Sequence, residues 1–283
     1  MPATLKAALW MLGSILSFSA MAVAGRQLGG VVDTFELMFY RSAVGVLIVF
    51  PLLFAKRVKL HELCMNWRLQ LIRNIAHFTG QNLWFLAVTL IPLAQVFALE
   101  FTSPLWVVLL SPLLIKDHLT RRRLIAVLLG FAGVMVIVQP GASSLSAGTV
   151  YVALAAICFA LTAIFTRQLT QTNGLLVILA WLTGSQLVMG GIMAGWDGNI
   201  TLPTAHTAPL LVLIGLAGLI AHTCLTRALT LAPASIVIPI DFARLPLIAL
   251  VGALFYDESV GWSLALGAAL IIAGNLINLK RFG

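Results

Sequence analysis

The chain has 283 residues, of which 61% are apolar and only 9% charged, with 17 Lys and Arg set against 9 Asp and Glu. Soluble globular chains carry about 25% charged residues, so this composition, with a mean hydropathy of +1.06, excludes an ordinary soluble enzyme and makes lipid the main solvent. At about 20 residues per membrane-spanning helix, ten spans use about 200 residues and leave no room for a separate soluble domain.

Apolar stretches lie at 7–25, 34–55, 69–90, 92–115, 124–138, 149–166, 175–195, 208–229, 233–255 and 262–279, and they predict an all-α integral membrane protein of ten transmembrane helices. The first stretch imitates a secretory signal, with Lys6, an apolar run and Ala22-Val23-Ala24 as a small-residue cleavage site. The run is longer than the usual ~7–15-residue core of such a signal, and the stretch recurs later in the chain, so it reads as a span. The short fifth stretch borrows Arg122 and Arg123 as snorkelling ends. Cys64, Cys158 and Cys224 are scattered without ligand spacing, so neither a disulfide framework nor a metal site is expected. No Walker P-loop occurs, and no cofactor is implied.

Charge follows a membrane topology. With the N-terminus inside, one side collects Lys6, Lys56, Arg57, Lys59, Arg68, Lys116, Arg121, Arg122, Arg123, Arg167, Arg227, Lys280 and Arg281, whereas the other collects Arg26 alone. The positive-inside rule then places both termini in the cytoplasm. The net charge of +8 is explained by translocation, and nucleic acid is not an expected partner.

A shift of 141 residues lays the first half on the second without a gap. Phe18, Ala22 and Arg26-Gln27-Leu28 fall on Phe159, Ala163 and Arg167-Gln168-Leu169. Ala87, Thr89, Leu90, Pro92, Val96 and Phe101 fall on Ala228, Thr230, Leu231, Pro233, Val237 and Phe242, and Gly133 falls on Gly274. The chain thus divides into repeats at 1–141 and 142–283. Five spans per repeat is odd, so the copies are expected to cross in opposite directions. Connections 56–68 and 116–123 carry eight Lys and Arg, while their counterparts 197–209 and 257–264 carry none, only Asp197, Asp257 and Glu258. Two inverted five-helix repeats around a central cavity form a transporter architecture, with the binding site near the midplane.

The pattern Ala87-x-Thr89-Leu90-x-Pro92, followed by Glu100 and closed by the Gly130/Gly133 helix, resembles the EamA-type unit of the drug/metabolite transporter superfamily, as does the second copy from Ala228 to Gly274. Arg41, within Phe39-Tyr40-Arg41-Ser42, is also typical of that unit. Within the superfamily the chain looks like the bacterial inner-membrane exporters of neutral and aromatic amino acids. The resemblance implies alternating access by rocking of four-helix bundles about a central cavity, with the fifth and tenth helices peripheral. Carriers of drugs, sugars or nucleotide sugars are the alternative within the same superfamily.

Glu100 and Asp241 are repeat equivalents, each eight residues beyond a proline and so about 12 Å into a core about 30 Å thick. Both fall near the midplane, where a charge costs on the order of 2.5–3.5 kcal/mol. Arg244 stands three residues after Asp241 and could simply neutralise it. Glu100 has no cation in its own turn, and Arg41 is a candidate partner across helices.

Arg73, His77, Gln81 and Trp84 form one polar and aromatic helix stripe that should avoid lipid. His222 is the equivalent of Gln81, and Tyr40 and Trp181 are equivalents of each other. The expected substrate set is therefore Tyr40, His77, Gln81, Trp84, Glu100, Trp181, His222, Asp241 and Arg244. The acids would engage an amino group, Arg244 a carboxylate, and Trp84, Tyr40 or Trp181 a side chain. Glu100 and Asp241 suit proton coupling if burial raises their proton affinity; passive facilitation suits the same residues. Small-residue spacing at Ala126-xxx-Gly130 and Ala265-xxx-Ala269-xxx-Ala273 permits close packing within one chain or between chains. An intramembrane enzyme is disfavoured, because His61-Glu62 lacks the second histidine of HExxH and no GxSxG occurs.

Overall fold

A computed structural model describes residues 2–115, 120–139, 146–196, 198–232, 237 and 240–279. Lys116, Asp197, Pro233, Lys280 and Arg281, on which the charge pattern and the proline spacing draw, lie outside the described residues. Among the described residues the regular structure is entirely helical. The first half contains α1 (Ala3–Leu28), α2 (Thr34–Ala55), the short α3 (Leu60–Cys64), α4 (Trp67–Leu90), α5 (Leu93–Glu100), α6 (Ser103–Ile115) and α7 (Arg121–Val138). The second contains α8 (Ala147–Leu169), α9 (Leu175–Ala194), α10 (Thr207–Leu231), α11 (Arg244–Phe255) and α12 (Trp262–Leu279).

Six helical stretches are long and apolar enough to cross a membrane: Ala3–Leu28, Thr34–Ala55, Leu93–Leu114, Ala147–Leu169, Leu175–Ala194 and Thr207–Ala228. Helix α4 falls outside that set for a chemical reason, since it carries Arg73, Asn74, His77, Gln81 and Asn82, all of them buried within the protein. Helix α7 begins with three arginines, and α11 and α12 are apolar but shorter.

Local signals set the helix ends. Asp33 accepts the backbone N–H groups of Phe35 and Glu36 while Glu36 accepts that of Asp33, a complete capping box for α2. Thr120 and Ser146 cap α7 and α8 in the simpler way.

Each major helix pair joins one half to the other. Helix α1 packs on α10, α4 on α8, α2 on α9 and α7 on α12. The pairs are antiparallel. Along α2, Phe39 meets Gly190 and Gly45 meets Thr183, so the start of α2 lies beside the end of α9. Along α7, Arg122 reaches the Ile277 carbonyl and Gly133 lies against Gly267. Helices α2 and α9, like α7 and α12, are counterparts at the 141-residue offset, and each runs opposite to its counterpart.

The α7–α12 seam resolves the small-residue spacing of the sequence. Ala126, Gly130 and Gly133 pack within the chain against Gly267, Ile271 and Gly274, whereas Ala265 and Ala269 are exposed on the other side of α12.

The expected fourth span is interrupted at Phe101–Thr102, between α5 and α6. Pro104 supplies the cause, since it has no N–H for the Glu100 carbonyl. The Ser103 hydroxyl donates to that carbonyl instead, and the Asn275 side-chain amide on α12 donates to the Phe101 carbonyl at 2.7 Å. The same break recurs 141 residues later, where Asp241 is helical and Phe242–Ala243 form a turn before α11.

Candidate functional site

Both helix breaks follow an acidic residue, and one arginine lies between them. The Arg244 guanidinium NH2 is 2.8 Å from Asp241 Oδ2 and 3.4 Å from Glu100 Oε1. The second Glu100 oxygen accepts the Trp84 indole N–H at 2.8 Å. Arg244 is thus a cation shared by both acids, and Arg41, the candidate partner for Glu100, makes no ion pair with it among the described residues. The guanidinium carbon also stands 4.9 Å from the Phe18 ring centroid and 5.1 Å from those of Phe97 and Phe101. Aromatic faces on this side exclude water and strengthen the ionic contacts. Asp241 Oδ1 and Arg244 Nε remain buried without a protein partner.

The stripe Arg73, His77, Gln81 and Trp84 is buried along its whole length. His77 faces α8 and α10, with its ring centroid 6.1 Å from Phe159 and 6.1 Å from His222. His222 in turn meets Phe18 edge-on at 5.5 Å. Phe159, His77, His222 and Phe18 therefore form a row that ends under Arg244. Phe18 and Phe159 entered the sequence argument only as markers of the duplication. Their equivalence was the available signal, because both copies turn an aromatic ring toward a histidine. Both nitrogens of His77 and Oε1 of Gln81 are buried with no hydrogen-bond partner among the described residues. Buried polar atoms are rarely left unpaired, so this row has hydrogen-bonding capacity to offer to a bound molecule.

Tyr40 and Trp181 belong elsewhere. The Tyr40 hydroxyl donates to the Thr201 carbonyl at 2.8 Å, and the Trp181 indole N–H donates to the Leu63 carbonyl at 2.8 Å. Each aromatic holds the connection that precedes the third long helix of the opposite half. Their shared position in the repeat goes with a shared clasp, with the polar tip satisfied by a backbone carbonyl of the opposite half. Trp106 packs on Phe131 of α7, with centroids 4.9 Å apart.

Two cavities border this region. A mostly apolar one of about 590 Å³ lies between α1, α10 and α11, with Ser19, Gln27 and Tyr256 as its polar members. The other, between α2, α9 and α10, is bounded by Arg41, Gln186 and His222. Among the described residues no group of three His, Cys, Asp or Glu side chains is placed to hold a metal ion.

The EamA-like transporter family model matches the chain twice, over residues 5–139 and 146–280. A riboflavin transporter of Rhizobium johnstonii is 30% identical over 97% of this chain and 91% of its own length. One from Vibrio cholerae is 29% identical over 95% of this chain and 91% of its own. An S-adenosylmethionine uptake transporter of Rickettsia bellii is 23% identical over 94% of this chain and 91% of its own. A solved crystal structure, 20% identical, covers 98% of this chain and 99% of its own with a TM-score of 0.67, which shows a shared fold.

Proposed function

Because the chain belongs to the EamA-like transporter family, it is a multi-pass membrane transporter of small molecules and not an enzyme, and we propose that its cargo is a heteroaromatic metabolite taken up by alternating access. The observation that carries this reading is the row Phe159, His77, His222 and Phe18, flanked by Trp84 and Gln81. Its flat rings suit a planar heterocycle, and its free polar atoms suit the hydrogen-bonding edge of one. Relatives named for riboflavin and for S-adenosylmethionine support this class, since each of those molecules contains such a ring. Glu100, Asp241 and Arg244 at the end of the row would take the polar appendage. The site is then His77, Gln81, Trp84, Glu100, His222, Asp241 and Arg244, with Phe18 and Phe159 added and Tyr40 and Trp181 left out.

The reading carries its topology with it. Ten spans form two inverted repeats, 1–141 and 142–283, in a bacterial inner membrane with both termini cytoplasmic. The antiparallel packing of α2 on α9 and α7 on α12 supports the inversion. Thiols placed at positions 60 and 201 should be labelled from opposite faces; labelling from one face removes it.

Export of neutral or aromatic amino acids is the second reading. It is favoured by the charged cluster of Glu100, Asp241 and Arg244, which offers partners to an amino and a carboxylate group. Counterflow in proteoliposomes with riboflavin, S-adenosylmethionine and tryptophan decides. Saturable riboflavin or S-adenosylmethionine flux that is lost in Glu100→Gln supports the proposal. Tryptophan flux alone transfers the case to the second reading. Flux unchanged by an imposed pH gradient removes proton coupling through Glu100 and Asp241.

A further inference from the structure

Arg26 and Arg244 contact carboxylates, but two other arginines within the helical core do not. Arg41 on α2 is buried, and its guanidinium makes one polar contact, to Met38 Sδ at 3.7 Å. Arg73 on α4 is equally buried and donates to two neutral groups, Thr166 Oγ1 at 3.1 Å and Asn74 Oδ1 at 2.7 Å. Among the described residues no carboxylate pairs with either. Glu36, on the same helix as Arg41, is occupied by the Thr201 and Asp33 backbone N–H groups. Arg73 lies one turn before His77 on α4, His77 stands 6.1 Å from His222, and His222 bounds the same cavity as Arg41, so this part of the interior gathers positive charge and hydrogen-bond donors.

The space beside Arg41 is shaped accordingly. The guanidinium lies over Gly218 of α10 so closely that a Cβ there would stand 3.1 Å from NH2. Next to it a cavity with room for roughly one water-sized particle is bounded by Arg41, Ser42, Thr183, Gln186 and His222. Gln186 is only 1% exposed, and its Nε2 has no hydrogen-bond partner among the described residues. A buried arginine at membrane depth normally has a counter-charge. Here the donors are in place, and among the described residues no acidic side chain meets them.

We propose that the cavity between α2, α9 and α10 is a binding site for a small monovalent anionic group, held by the Arg41 guanidinium and the Gln186 amide, with Arg73 adding long-range attraction. Two sources share that chemistry: a free halide, or a small free carboxylate such as acetate; a bulkier carboxylate such as gluconate exceeds a cavity of this size. His222 borders both this cavity and the row that would hold the ring, whereas the two groups that would hold the anion, Arg41 and Gln186, stand outside that row, so a test of the site does not need the heteroaromatic cargo.

The test follows the melting temperature of purified full-length protein in sodium gluconate at constant ionic strength, with chloride or acetate replacing gluconate. A saturating rise in melting temperature is expected. Saturation by chloride in preference to acetate identifies a free halide, and the reverse preference identifies a carboxylate; both uphold the site. Gln186→Leu should weaken the apparent affinity at least tenfold without lowering the melting temperature in gluconate. Arg41→Gln should abolish the anion response. If Arg41 only packs, Arg41→Gln lowers the melting temperature equally in all three salts and the proposal falls. It falls likewise if wild-type protein responds to neither anion, or if Gln186→Leu saturates as wild type does.

Discussion

Glu258 joins Arg26 to the start of α5 across 232 positions of sequence: Oε1 accepts from Arg26 NH1 at 2.7 Å while Oε2 accepts the Leu93 backbone N–H at 2.8 Å. Arg26 also lies 5.2 Å from the Tyr256 ring centroid. One carboxylate thus ties the end of α1, the first free N–H of α5 and the connection between α11 and α12. Each hydrogen bond to a charged group contributes about 1.5–3 kcal/mol, and 1 kcal/mol moves the melting temperature of a chain of this size by about 2–4 °C. Glu258→Ala removes two such bonds, about 3–6 kcal/mol, and is expected to lower the melting temperature in detergent by about 6–24 °C, with Arg26→Lys milder. An unchanged value for Glu258→Ala shows that the tie contributes nothing.

The charge balance around Arg244 makes a second expectation. Removing the cation leaves Asp241 and Glu100 facing each other in a largely dry site, and breaking a buried pair from one side costs about 3–5 kcal/mol. Arg244→Met should therefore destabilise strongly and abolish flux. Adding Glu100→Gln and Asp241→Asn to the same chain removes the orphaned charges and should restore most of the melting temperature while flux stays absent. Recovery of flux in the triple variant would show that the charges serve folding alone.

Much of this arrangement is legible in the sequence, and the reasons for the rest are physical. The 141-residue offset pairs Glu100 with Asp241 because proline and acid keep fixed spacing along one helix, a local relationship. The polar load of α4 announces burial because lipid will not accept it. Which cation meets Glu100 is a different matter, since Arg244 arrives from the other half and no spacing rule reaches across 144 positions of chain. The break at Phe101–Thr102 is half legible, through Pro104. Its stabilisation by Asn275 depends on how α12 crosses α5. For Tyr40 and Trp181 the repeat symmetry does not separate two readings, because it marks any shared structural duty and a clasp is as symmetric as a binding site.

That clasp predicts an outcome opposite to substrate contact. Tyr40→Phe and Trp181→Phe each delete one donor to a backbone carbonyl, worth about 0.5–1.5 kcal/mol. Each should lower the melting temperature by about 1–5 °C while leaving the half-saturating concentration for transported riboflavin unchanged. A shift of fivefold or more in that concentration would return these residues to the binding site.

The α7–α12 seam makes the sharpest steric expectation. A Cβ on Gly133 would meet the Gly267 carbonyl oxygen at 2.5 Å, and a Cβ on Gly267 would meet the Gly133 carbonyl oxygen at 2.6 Å. In each case the obstructing atom is backbone, so no side-chain rotation relieves the clash and the helices must separate. Close approach of this kind is what small residues provide between helices in lipid, where van der Waals packing replaces the hydrophobic drive. Gly133→Ala and Gly267→Ala should each lower the melting temperature by about 4–10 °C, from a loss on the order of 2–3 kcal/mol. Ala269→Gly, on the exposed side of α12, supplies the comparison, since it changes helix propensity by about 1 kcal/mol without touching the seam. The double variant with both alanines should lose less than the sum of the singles, because one separation of the helices relieves both clashes. Additive losses would mean that the two contacts act independently and that the seam can deform locally.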